Sequence, residues 1–167
     1  MSIFSKGIET LDDLFVHQLQ DIYYAEKQIA KSLAAMVEKV GNPQLKQDLA
    51  GHLQQTKIHI ERLEKVFEMH DTQVKAVDCP AIDGILREAD EVAGDTADFA
   101  VLDAALAAAA QAVEHYEIAR YGTLVAWARQ LGRNDCAAIL RQTLEDEKAM
   151  DRRLTEVAET QLNYHAA

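Results

Sequence analysis

The 167-residue chain predicts an all-α fold, a four-helix bundle with one long crossover that contains a short extra helix. Three observations carry this expectation. Apolar residues make up 49% of the chain, yet it holds only two prolines and seven glycines, too few breakers for a strand-and-turn architecture. Those apolar residues recur in alternating steps of four and three over long stretches. Helix-stop signals then separate the stretches by a short, a long and a short connection. The length suits a single domain, 1–167, with a substantial core.

The first long helix is expected over 10–39. Thr10, followed by Asp12 and Asp13, reads as an N-cap with acids in the first turn. Gly41-Asn42-Pro43 stops it, with Gly41 suited to the C′ position and Asn42 to the next cap. Pro43 opens the second helix, 43–70. Residues 71–97 differ in character: Pro80 introduces a short helix over 81–92, which Gly94 ends. The third long helix spans 98–131 and closes at Gly132, and Asn134 or Asp135 caps the fourth, 135–163. Short connections make the first and second, and the third and fourth, antiparallel hairpins. The long middle connection is that of ferritin-like folds rather than a simple up-and-down bundle. A weak internal echo, Tyr24-Ala25-Glu26 against Tyr116-Glu117, fits two related halves.

A net charge of -11 argues against a broad electrostatic grip on nucleic acid or anionic lipid. No stretch reaches the roughly twenty apolar residues of a membrane span, because Glu114 and Glu117 interrupt the best candidate. The start, MSIFSKGIETLDDLF, meets an acid at Glu9 before any sustained apolar run, so no secretory signal is read there. The expectation is a cytoplasmic protein with neither nucleic acid nor membrane as partner. Cys79 and Cys136 lack metal-like spacing and are read as two free or buried thiols.

The chemistry lies in interruptions of the apolar stripes. On the first helix Phe15, Leu19, Ile22, Glu26, Ile29, Leu33, Met36 and Val40 form a strict seam with Glu26 as its one polar member. The third helix gives Leu106, Ala110, Val113, Glu117, Tyr121, Leu124, Ala128 and Leu131, with Glu114 one turn from Glu117. The fourth gives Leu140, Leu144, Glu147, Asp151, Leu154 and Ala158, interrupted by two acids at i and i+4. On the second, Leu49, Leu53, Thr56, Ile60, Leu63 and Phe67 form the seam, and His52, Gln55 and His59 lie along its edge. A lone Glu on such a stripe ordinarily reaches the bundle edge or pairs with a base, and a lone His is ordinarily hydrogen-bonded in place. The set is harder to dismiss. Carboxylates gathered in an apolar core repel one another and lose hydration unless they are protonated, paired or bound to a cation. Lys27, Lys148, Arg152 and Arg153 fall on outward positions, and Arg120 alone could turn inward. A pair of divalent metals neutralises several carboxylates at once, with histidine completing the shell.

Several segments resemble one family: AEKQ at 25–28, HLQQT at 52–56, ERLE at 61–64, DAALAAAAQAVEHYEIARYGTL at 103–124 and TLEDEKAMD at 143–151. With these the chain is similar, over nearly its whole length, to the YciE/YciF-like bacterial stress proteins of the ferritin-like superfamily. The resemblance implies a di-metal centre, with iron the expected ion and another divalent metal the alternative, and an association with stress responses. It implies no settled enzymatic activity. Glu26, Glu114, Glu117, Glu147 and His52 match the family's acids and histidine position by position, and His59, Gln55 and Asp151 are weaker candidates. Gln55 stands where the family commonly carries a carboxylate. The wider superfamily's Glu-x-x-His is also missing, since Ile58 and Met150 occupy the histidine positions.

Two functions fit: a di-metal protein reacting with oxygen or peroxide, and a structural or interaction protein whose metal only stabilises the fold. Tyr23, Tyr24 and Tyr116 flank the expected site as hydrogen-bond donors, electron relays or ordinary packing. The alanine-rich face around 104–112 suggests close packing with a second copy, hence a homodimer. Protection of nucleic acid fits poorly, because the net charge is negative and no basic tail is present.

Overall fold

The computed structural model describes residues 7–167; the stretch 1–6, on which the reading of the chain's start partly rests, lies outside them. The described residues form α1 (Leu11–Lys39), α2 (Pro43–Met69), α3 (Pro80–Asp95), α4 (Phe99–Gln130) and α5 (Asn134–Val157), followed by a π turn (Ala158–Leu162) and a last helical turn, α6 (Asn163–Ala166).

Local chemistry sets the boundaries. Thr10 and Asp13 make a reciprocal capping box, Thr10 N–H donating to Asp13 Oδ2 at 3.0 Å and Asp13 N–H to Thr10 Oγ1 at 3.1 Å. Asn42 Oδ1 accepts from the Gln44 and Leu45 amides at the start of α2, and Asp98 Oδ1 accepts from Ala100 and Val101 at the start of α4. Gly132, at φ +74°, ends α4 in the left-handed turn that favours glycine. Gly41 departs from expectation: its φ is not positive, and the α1–α2 turn is braced from outside. Asp103 on α4 accepts from the Gly41 amide at 2.8 Å and the Asn42 amide at 2.7 Å. Gly94 does not stop α3, which runs on to Asp95 and caps at Thr96. The fourth long helix stops being α-helical at Val157 rather than near 163, because the π turn lets Leu162 fall back into the core five residues after Val157.

Round the bundle the order is α1, α2, α5, α4, each packed on the next. Asp103 ties the start of α4 to the end of α1, and Arg133 Nη2 donates to the Met69 carbonyl, tying the end of α4 to the end of α2. Every neighbouring pair is therefore antiparallel, and the crossover must travel the length of the bundle. α3 makes that journey against α1 and α4, burying Ile82 and Ala89. The crossover is pinned at its start, where Val77 N–H donates to the Gln20 carbonyl at 3.3 Å and the Cys79 thiol meets the Tyr116 hydroxyl at 3.1 Å. Both cysteines are free thiols in buried positions.

Two seams differ from the sequence expectation by a rotation of the helix. On α2 the fully buried line is Leu49, His52, Thr56, His59, Leu63 and Val66, while Leu53 and Ile60 are only half-buried. On α5 it is Leu140, Thr143, Glu147, Met150, Leu154 and Val157, with Asp151 half-buried at its flank. Both lines still alternate steps of three and four, the bundle period. The rotation brings the histidines from the edge of α2 into its centre, opposite the acids.

Candidate metal centre

Six side chains from the four long helices meet at mid-height: Glu26 from α1, His52 and His59 from α2, Glu114 and Glu117 from α4, and Glu147 from α5. None is more than 1% exposed. They sort into two overlapping groups whose ligand atoms lie within 4.8 Å of one another, His52–Glu114–Glu117–Glu147 and Glu26–His59–Glu147. Glu147 belongs to both. His52 Nε2 lies 3.1 Å from Glu114 Oε1 and 3.5 Å from Glu147 Oε2. His59 Nδ1 lies 2.9 Å from Glu147 Oε1 and 3.5 Å from Glu26 Oε1.

Proximity does not make these atoms satisfied. His52 Nε2 and His59 Nδ1 approach the carboxylates at ion-pair distance but outside hydrogen-bond geometry. Glu26 Oε2, Glu114 Oε2 and both oxygens of Glu117 and Glu147 are likewise buried without a hydrogen-bond partner. Among the described residues, the Gln18 amide nitrogen is the one buried side-chain nitrogen or oxygen outside this cluster in that condition. Unpaired buried polar atoms are rare in folded proteins and costly. Here they converge on common space with the oxygen and imidazole donors that divalent transition metals take.

Electrostatics reflects the same crowding. Burial pushes the Glu114 carboxyl up to about 8, only partly opposed by His52 beside it. Burial, with Glu147, Glu26 and Glu114 close by, holds Glu117 well above the ordinary carboxyl range, and burial raises Glu26 against the pull of His59. Burial works against both histidine cations, but the surrounding carboxylates outweigh it, raising His52 to about 9 and His59 to about 10. The metal-free core therefore retains protons, and a bound cation would take their place.

The sequence-derived candidates divide cleanly. Glu26, His52, His59, Glu114, Glu117 and Glu147 come together. Gln55 and Asp151 do not. Gln55 is exposed, and its Oε1 lies 3.3 Å from His52 Nδ1, on the side of the ring away from the acids. Asp151 turns to the surface, where His115 and Gln111 engage it at 3.0 and 3.2 Å. Arg120 does not reach the carboxylates; it donates to Gln18 and lies over the Tyr116 ring.

Two residues close to the cluster escaped the sequence reading. Tyr121, placed on the seam as packing, is fully buried and donates its hydroxyl to Glu26 Oε1, while burial and the Glu26 and Glu117 charges raise its own pKa far above the usual phenol. The tyrosines flagged from sequence point elsewhere: Tyr23 donates to Glu64, Tyr24 to Asp83, and Tyr116 meets Cys79. The second missed residue is Asp146, whose Oδ2 lies 3.3 Å from His59 Nε2 and accepts from Arg62 Nη1 at 2.6 Å. An acid shared between an imidazole edge and a guanidinium has no periodic signature. Its sequence trace is only adjacency to Glu147.

The family model described as "Domain of unknown function (DUF892)" matches residues 10–167. Protein YciF of Escherichia coli K12 is 44% identical over 161 residues, covering 96% of this chain and 97% of YciF. YcfI of Rhodopseudomonas palustris, given a provisional structural-protein designation, superposes with a TM-score of 0.89 at 53% identity, covering 92% of this chain and 98% of YcfI. The crystal structure of the E. coli stress protein YciF gives a TM-score of 0.89 at 45% identity, covering 93% of this chain and 98% of that one. With the fold and nearly the whole sequence shared, the chain belongs to the DUF892 family of YciF-like proteins.

Proposed function

We propose that the bundle core holds two divalent cations, iron by preference, and that the loaded centre reacts with oxygen or peroxide. The observation that carries this reading is Glu147, common to two ligand groups and with neither oxygen hydrogen-bonded. A carboxylate so placed is suited to bridge two ions. The four buried glutamates of the cluster carry the formal charge that two divalent ions cancel, and the two histidines add neutral donors. Fe(II) held by these donors would supply electrons to oxygen or peroxide and become Fe(III). Glu26, His59 and Glu147 would hold one ion, and His52, Glu114, Glu117 and Glu147 the other. Tyr121 donates to Glu26 Oε1, the oxygen 3.5 Å from His59 Nδ1, and Glu26 Oε2 keeps no hydrogen-bond partner. Ile22, Ile29 and Val113, one turn away on their own helices, are buried and keep bulk water out.

A stress role follows from the likeness to YciF, and the two free thiols fit a reducing, cytoplasmic setting. The alanine-rich stripe of α4, flanked by exposed Phe99 and Val101, supports a homodimer. A second reading, a structural protein in which metal only fastens the helices, is favoured by the designation of YcfI.

One experiment separates them. Metal-free protein is loaded with Fe(II) without oxygen, then exposed to oxygen or peroxide. Rapid Fe(III) absorption that disappears in Glu26→Ala and Glu147→Ala supports the redox centre. Metal-dependent melting without oxidation points to the structural role, and failure to bind any metal removes both.

A further inference from the structure

We propose that Asp146 is a positioning residue for the His59 ligand, acting through the far nitrogen of the imidazole ring, with Arg62 holding it in place. The inference rests on the metal reading above. His59 presents Nδ1 to Glu147 and Glu26, at 2.9 and 3.5 Å, and that atom has no hydrogen-bond partner. An imidazole that binds a cation through Nδ1 must carry its proton on Nε2. Asp146 Oδ2 stands 3.3 Å from Nε2, where it accepts that proton's hydrogen bond. The bond fixes the tautomer, stops the ring from turning and makes Nδ1 more basic.

The carboxylate is itself held. Arg62 Nη1 donates to the same Oδ2 at 2.6 Å and to Thr143 Oγ1 at 3.3 Å, so the guanidinium spans α2 and α5. Asp146 is part-exposed, and the clamp opposes its turning from the ring toward water. His52 is held differently. Its far nitrogen meets the neutral amide of Gln55, three residues away on its own helix. One histidine thus leans on a charge from the facing helix and the other on a local amide. Loss of Asp146 should therefore weaken one metal position and spare the other.

The test is an equilibrium titration of metal-free protein with Co(II), read by its visible absorption. It is run on the wild type, Asp146→Ala, Asp146→Asn, His59→Ala and the Asp146→Ala/His59→Ala double variant. Asp146→Ala should weaken the His59-bound ion about 10–100-fold and leave the other ion unchanged. Asp146→Asn keeps an acceptor oxygen and should recover most of the loss. In the His59→Ala background the Asp146 substitution should add nothing, because it acts only through that ring. Where melting shows Asp146→Ala unfolded, Arg62→Gln carries the same comparison. Unchanged affinity in the variant, or an equal loss with and without His59, overturns the inference alone. Absence of Co(II) binding by the wild type overturns the metal reading and this inference together.

Discussion

At the scale of single residues, the buried carboxyls and imidazoles of the cluster hold on to protons. Glu114 has a folded-state pKa of about 8 against an ordinary 4.5, so its stabilisation is full below the ordinary value and is lost as pH rises through 8. His52 and His59, raised from 6.5 to about 9 and about 10, contribute fully below 6.5 and lose that contribution as pH climbs through those values. All three shifts have the same sign: the folded state binds more protons than the unfolded one. The melting temperature of the metal-free protein should therefore fall between roughly pH 6 and pH 9. Metal binding needs the same groups deprotonated, so the rise in melting temperature on adding metal should grow over that window. Differential scanning fluorimetry with and without Co(II) checks both trends. Glu26, Glu114, Glu117 and Glu147 were legible in the sequence because an acid breaking an apolar period is conspicuous. Tyr121 and Asp146 were not. A seam tyrosine looks like packing, and Asp146 meets a histidine 87 residues away through a contact no spacing encodes.

At the scale of the elements, caps and turns carry separable amounts of stability. Asp103 is buried and braces the α1–α2 turn through two amide hydrogen bonds from the far side of the bundle. Asp103→Ala should cost about 2–3 kcal/mol, since two donors lose a charged acceptor, and urea unfolding measures it. Asp71, at φ 51°, closes α2 in the left-handed region without being glycine. Asp71→Gly should stabilise the protein by roughly 0.5–1 kcal/mol, the freer unfolded chain offsetting part of the relief. Helix number, order and most boundaries follow from the caps and breakers. The rotation of α2 and α5 does not. Leu53 and Ile60 are better apolar candidates than His52 and His59, so hydropathy alone selects the wrong line. On α2 the buried line turns His52 and His59 toward the acids, a relation between elements, and on α5 it places Met150 where Asp151 was expected.

For the whole molecule, a metal-loaded cluster would cross-link four helices that no disulfide joins, since both cysteines are free. Metal that binds only the folded state at about one hundred times its dissociation constant adds about 2.7 kcal/mol. For a domain of this size that is roughly 5–10 °C in melting temperature, so a strong chelator should lower the melting temperature of loaded protein by this amount. Glu147→Ala, which touches both groups, should lose most of that response, and Glu26→Ala, which touches one, only part of it. The measurement closest to the centre of the account is an anaerobic Fe(II) titration of the metal-free protein, with bound iron counted per chain. Two ions should bind to the wild type, and Glu147→Ala, which removes the carboxylate common to both groups, should weaken both. No bound iron, or two ions held as tightly without Glu147 as with it, would contradict a shared di-metal centre.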